Sequence, residues 1–429
     1  MSAGLVFLLF LQASGVDVPV AIVGARIVTV DGPTIEKGTL VLANGKIIAV
    51  GPTVPPPPNA RIIDGTGKTV YPGLVDALNQ IGLAEIQSVP GSMDTTEVGD
   101  VNPQVRTWVA LNAHSEMIPV ARAGGITAAL SAPAGGLVSG QSALIRLAGS
   151  TPARLTVKAP VALHIVYPAG RPTPDASQPF AEPELKTFEE RQKDKRRNQE
   201  KALDRLRNLL EDAKAYGAAR DAARAGKIAP PPPDLVLEAL APAARGELPV
   251  IVRADGEEDI RGAVRFAQDR GLRLIVAGGL EAWRCAELLK EKGVPVLLKV
   301  LRLPARAADP YDAAYANAAA LHRAGVLFAI VTDDPDSERN LPYEAAMARA
   351  YGLPAEAALR AITLSPAEIL GVAFGYNQDG RARYGVFDFA ADKVLITLPA
   401  PLRGVPGDLR RRAEAMRGAA FSPPFKAAP

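Results

Sequence analysis

The chain has 429 residues, more than one average domain needs, and its 48% hydrophobic and 22% charged content excludes a wholly disordered polypeptide. With 49 Lys and Arg against 46 Asp and Glu, the net charge of +3 gives no basic field for nucleic acid or an acidic membrane. The one cysteine, Cys285, has no partner for an intrachain disulfide, and its apolar-periodic setting from Glu281 to Leu289 reads as a buried, inert thiol.

In chain order, Leu5 to Leu11 form a short apolar run ahead of Ala13-Ser14-Gly15, which suits signal-peptide cleavage and makes an exported or periplasmic protein the expectation. No Lys or Arg precedes the run, so a buried first strand in a cytoplasmic protein is the competing reading. No later apolar stretch is long enough to span a bilayer. From Val18 to about Asp64 short strands alternate with turns: Val20 to Val23, Ile27 to Val30, Thr39 to Ala43 and Ile47 to Val50. Asn44-Gly45 sits between two apolar runs, and both residues tolerate the positive φ of a tight hairpin turn, so a small antiparallel sheet is expected. The run Pro55 to Pro58 cannot donate ladder hydrogen bonds and reads as a rigid loop.

After Lys68 apolar strands alternate with Ala- and Leu-rich helical segments, the pattern of parallel βα units. Strands are expected at Val70 to Val75, Ile126 to Leu130, Ala143 to Leu147, Ala162 to Val166, Val250 to Val252, Leu274 to Ala277, Val294 to Leu298 and Leu327 to Val331, enough for a closed α/β barrel. Ala143 to Leu147 has an alternative as part of a hairpin, and Pro295 belongs at the start of pairing in its strand. Between the fourth and fifth strands Ala181 to Gly226 is heavily charged, with Leu203, Leu206, Leu210 and Ala213 at helical spacing, which predicts an amphipathic helix with a solvated charged face. Pro230 to Pro233 ends that insertion. Val394 to Leu398 is a strand that could rejoin the opening sheet, and the tail beyond it has no clear period.

In such a barrel reactive groups gather at the C-terminal ends of the strands. The first strand and the residues after it read Tyr71-Pro72-Gly73-Leu74-Val75-Asp76-Ala77-Leu78-Asn79-Gln80. This resembles the opening signature of the amidohydrolase superfamily, Pro-Gly-Leu-Ile-Asp-x-His-x-His, with Leu78 and Gln80 where that family has two metal-binding histidines. The segments Asn102 to Arg106, Ala121 to Thr127, Gly135 to Gln141, Arg339 to Ala345, Ala357 to Thr363 and Pro366 to Gly371 resemble an imidazolonepropionase-related subgroup of that family. The resemblance implies a TIM (β/α)8 barrel over residues 70–372, with the charged insertion 181–233. It also implies a small β-sandwich built from residues 18–69 and 373–402, which leaves 1–15 as a signal peptide and 403–429 as a tail.

Carried over position by position, the resemblance puts His164 where relatives often have a metal-bridging lysine, and Arg253 and Gly278 at histidine positions. Asp333 matches the acid that binds metal and takes a proton from the attacking water. Leucine, arginine and glycine side chains offer a cation no lone pair, and an amide oxygen is a poor zinc ligand, so no metal site and no cofactor are expected. Of the other histidines, His114 and His322 read as surface residues. Arg253, Asp255, Asp333 and Asp334 are expected near one rim, where an Arg253–Asp333 ion pair would fill the site and where a proton-sharing Asp pair is the alternative.

Three functions follow as expectations. The leading one is a non-catalytic amidohydrolase-like protein, kept as a partner subunit beside an active paralogue or as a homo-oligomer. The alternative is a hydrolase of carbon–nitrogen bonds in cyclic amides or dipeptide-like substrates, with zinc or another divalent metal at an atypical site, Asp333 as base, and His164 as a metal or substrate contact. The third is a binding protein for a small molecule, with His164, Arg253 and Asp334 at the ligand and Arg253 gripping a carboxylate.

Overall fold

The computed structural model describes residues 18–43, 46–168, 187–306 and 308–372. The expected signal peptide, the second part of the sandwich with its strand Val394 to Leu398, the tail, and the start of the insertion at 181–186 lie outside the described residues. The first sheet holds β1 (Val20–Ile27), β2 (Ile35–Ala43), β3 (Lys46–Gly51), β4 (Arg61–Asp64) and β5 (Thr69–Val70). Its order is β3-β2-β1-β4, with β5 also on β1. β1, β2 and β3 are antiparallel neighbours, whereas β4 and β5 run parallel to β1, so the expected antiparallel sheet is mixed. The two strands expected between Val20 and Val30 are one: register shifts around Ala25 and a φ of +78° at Gly24 let the chain bend without ending. Asn44 and Gly45 lie outside the described residues; on either side of them Ala43 pairs with Lys46.

The remaining strands are β6 (Leu74–Asn79), β7 (Ile126–Ser131), β8 (Val138–Gln141), β9 (Ala143–Arg146), β10 (Thr156–Lys158), β11 (Leu163–Val166), β12 (Val250–Ala254), β13 (Leu274–Gly278), β14 (Val296–Leu298) and β15 (Phe328–Ile330). They form a sheet of order β10-β9-β7-β6 and another of order β15-β14-β13-β12-β11-β8. The ladders from β11 through β15 and between β6 and β7 are parallel, as expected. Two expectations are corrected. Ala143 to Leu147 is not a parallel barrel strand, because β9 runs antiparallel to β7 and β10 antiparallel to β9. The strand expected at Val70 to Val75 is split: Val70 belongs to the first sheet and β6 begins at Leu74, since Pro72 has no N–H to continue a ladder.

No continuous ladder closes these two sheets into a ring among the described residues. They nevertheless share one interior. Val75 and Ala77 of β6, Leu130 of β7, Leu144 of β9, Ile251 of β12, Ala277 of β13, Leu297 of β14 and Ala329 of β15 pack in a single apolar cluster. Neighbouring residues such as Leu74, Leu163, Val252, Val276 and Ile330 face the other way and pack in the larger core with the helices. The edges β15 and β6 meet at the C-terminal end, where the Asp333 N–H donates to the Leu78 carbonyl at 3.1 Å.

The charged insertion forms a 37-residue helix, Phe188–Arg224. It starts on a capping box in which Thr187 Oγ1 accepts from the Glu190 N–H and the Glu190 carboxylate accepts from the Thr187 N–H. Leu206, Leu210 and Ala213 on its apolar stripe are buried in the larger core, while its charges face water.

Candidate functional site

Strand alternation decides which side chains reach the mouth of the shared interior. Ala162, Ile251, Leu297 and Val331 belong to the interior cluster, so His164, Arg253, Lys299 and Asp333, each two residues on, follow on the same side at its C-terminal end. Asp333 lies just past β15 in a left-handed conformation with φ +51°, a region that aspartate visits more readily than most residues. The structure brings Arg253 and Asp333 together: Nη1 donates to Oδ2 and Nη2 to Oδ1, both at 2.6 Å. The Asp333 side chain is 12% exposed and that of Arg253 37%. Burial disfavours the guanidinium charge, but the hydrogen bonds and charge of Asp333 and the charge of Asp255 outweigh it and push the Arg253 pKa up.

His164 is buried, and its Nε2 has no hydrogen-bond partner among the described residues. Burial first, and then the charge of Arg253, push its pKa down to about 3, so the imidazole is neutral at physiological pH. Asp334 sits in the loop beyond. Its Oδ1 accepts from Gln87 Nε2 and the Asp336 N–H, each at 3.0 Å, and its carbonyl accepts from Asn79 Nδ2 at 3.0 Å. Its Oδ2 stands 3.8 Å from Lys299 Nζ. Asp255 is taken by Arg302, at 2.5 and 3.0 Å. His114 and His322 are exposed, and burial raises the Cys285 thiol to about 11, which keeps it protonated.

Sequence reasoning missed Lys299 and Arg302, and it missed an acid pair on the far side of β6. Lys299 is the first charged residue past the apolar strand β14, and alternation from Leu297 could have found it. Asp76 is fully buried; it accepts from the Thr332 hydroxyl, from the Thr332 N–H at 3.3 Å and from the Leu78 N–H at 3.2 Å. Burial raises its pKa to about 7, with a further push from the Asp333 charge, against the hydrogen bonds from Thr332 and Leu78. Glu338 is buried with neither carboxylate oxygen hydrogen-bonded among the described residues, and burial together with the charge of Asp76 raises its pKa well above the ordinary value. Asp76 thereby holds the Thr332 backbone that delivers Asp333 to the mouth.

The donor set does not fit a catalytic divalent ion. Such a site uses about three protein ligands and leaves one position for water. Both Asp333 oxygens are engaged by a guanidinium that would repel a second cation, Leu78 and Gly278 offer no donor, and among the described residues no three His, Cys, Asp or Glu side chains are grouped to hold a metal. What the arrangement does offer is a charged floor of guanidinium, ammonium and carboxylate groups, able to orient a small polar molecule.

No protein-family model matches the chain. The crystal structure of an amidohydrolase from Thermotoga maritima MSB8 superposes with a TM-score of 0.69 and 26% identity, over 82% of this chain and 88% of that one. Amidohydrolase tasK of Hapsidospora irregularis is 24% identical over 366 residues, 79% of this chain. The chain spans 35% of the length of tasK. Similarity in sequence and similarity in fold thus lead to the same place, and what this chain resembles on both counts is amidohydrolases.

Proposed function

We propose that this chain is a non-catalytic amidohydrolase-like protein, closest in its motifs to the imidazolonepropionase-related subgroup, whose metal-ligand positions have been refilled and whose mouth now binds a small molecule. One observation carries the reading: Arg253 stands at a histidine position of the resemblance and holds both oxygens of Asp333 at 2.6 Å. In that state a metal ion would have to compete with a guanidinium that already holds both Asp333 oxygens in charge-assisted hydrogen bonds. The proposal includes a role as partner of an active paralogue or of a second copy. It also keeps the protein as an exported one, on the strength of Leu5 to Leu11 and Ala13-Ser14-Gly15.

The second reading is a hydrolase of carbon–nitrogen bonds in cyclic amides or dipeptide-like substrates, favoured by the likeness to an amidohydrolase over 82% of this chain. Elemental analysis of the full-length protein, purified without chelator and again after added zinc, separates the two when combined with turnover of cyclic amides and dipeptides. The expected result is substoichiometric metal and no turnover above that of the Asp333→Asn variant. Stoichiometric zinc, with turnover that Asp333→Asn abolishes, would overturn the proposal in favour of the hydrolase.

A further inference from the structure

Arginine at a histidine position invites the idea that Arg253 grips an anionic ligand, but the geometry assigns that work elsewhere. Both terminal nitrogens of Arg253 are committed to Asp333, and those of Arg302 to Asp255. Lys299 is the loosely held cation of the mouth. Its side chain is only 21% exposed, yet its nearest carboxylate, Asp334, is 3.8 Å away, beyond hydrogen-bond reach. The Oδ1 of that carboxylate already accepts from Gln87 and the Asp336 N–H. Buried Glu344 also feels the Lys299 charge, but its Oε2 is spent on the Val300 and Leu301 N–H groups, at 2.8 and 2.7 Å. An ammonium has three donors, and among the described residues those of Lys299 have no hydrogen-bond acceptor. Two large apolar side chains are exposed close in sequence to these groups: Leu301, two residues beyond Lys299, is 38% exposed, and Ile86, beside the Gln87 that bonds Asp334, is 56% exposed.

We propose that Lys299 Nζ is the anion-recognition point of the mouth and that its ligand is a small carboxylic acid with an apolar body, the carboxylate on Lys299 and the body along Leu301 and Ile86. The ligand supplies the close oxygen that Asp334 does not, while the Arg253–Asp333 pair stays intact as the floor. This rests on reading the mouth as one that excludes metal.

Calorimetric titration of the full-length protein with 4-methylpentanoate and with the uncharged 4-methylpentanamide tests it, in chelator and again with zinc. The expected result is that wild type binds the acid and not the amide, that Lys299→Met weakens the acid about tenfold to a hundredfold, and that Lys299→Arg retains most of it. Equal binding of acid and amide, no binding of either, or unchanged affinity in a Lys299→Met protein that melts like wild type would each overturn the inference. Binding that appears only with zinc and survives Lys299→Met would overturn it together with the metal-excluding reading beneath it, whereas absence of binding in a metal-free protein leaves that reading standing.

Discussion

Separating Arg253 from Asp333 tests the mouth most directly. The perturbation is a cycle of Arg253→Ala, Asp333→Asn and the double variant, and asparagine suits position 333 because it tolerates the +51° φ there, so the change removes charge without adding backbone strain. Breaking a fully buried pair costs about 3–5 kcal/mol and breaking an exposed one about 0.2–1 kcal/mol. Here the carboxylate is 12% exposed, near the buried limit, while the guanidinium is 37% exposed and partly screened by water. The two bonds are parallel and short, so a coupling energy of about 2 kcal/mol is expected. Arg253→Ala should be the worse single change, since it strands the better-buried charge, and adding Asp333→Asn should recover part of the loss. Urea unfolding at neutral pH, in low salt and in molar salt, measures the cycle. A coupling under about 0.5 kcal/mol, or one that vanishes in salt, would mean an ordinary surface pair and refute the idea that it closes the site.

Two further outcomes follow from the buried acids. The Asp76 pKa in the folded protein, about 7, lies above the ordinary 3.8, so between those values the folded state keeps a proton that the unfolded chain releases, and stability falls as pH rises through that window and levels off above it. Asp76→Asn should remove a slope on the order of 2–4 kcal/mol, leaving the variant progressively more stable than wild type from pH 5 to pH 8; parallel thermal-melt curves would contradict this. Glu338→Gln should gain stability relative to wild type as pH rises from 4 to 8, read from urea midpoints, because a raised carboxyl pKa penalises the folded state only where the free acid would ionise. An equal loss at both pH values would show instead that the carboxyl has partners worth keeping.

Local patterns were legible in the chain, and relations between distant segments were not. The runs at Leu163, Val250, Leu274, Val296 and Phe328 announce strands because each is a short apolar stretch between turn residues, and the structure pairs them in that order. The direction of Ala143–Arg146 was only half legible: a short apolar run reads the same whether its neighbour runs parallel or antiparallel, so a parallel strand was expected with a hairpin as its alternative, and the pairing is antiparallel. Pro72 marked the break between β5 and β6, but only pairing partners reveal that Val70 serves the first sheet. At the site, the resemblance brought Asp333 and Arg253 forward because both stand at motif positions. Lys299 stands at none, and the coupling of Asp76 to Glu338 joins residues 262 positions apart, a distance no local pattern spans.

If, as proposed, Leu78, Gly278 and Arg253 stand in place of metal-binding histidines, these replacements are not equivalent, and the difference explains why one of them is an arginine. A neutral side chain in place of a histidine, as at Leu78 or Gly278, leaves no charge uncompensated. An acid kept at position 333, only 12% exposed, does, because a carboxylate shielded from water is costly to hold without a charged partner. A guanidinium meets that need with two parallel bonds of fixed geometry, which an ammonium cannot do. Arg253 and Asp333 are therefore exchangeable only as a pair: on the proposed reading, restoring histidine at 253 alone would return one neutral donor and strand one carboxylate. The same asymmetry sorts the remaining charges. Both arginines of the mouth hold a carboxylate with two nitrogens, and the lysine is left with a contact at 3.8 Å, so any anion entering the mouth meets its least resistance there.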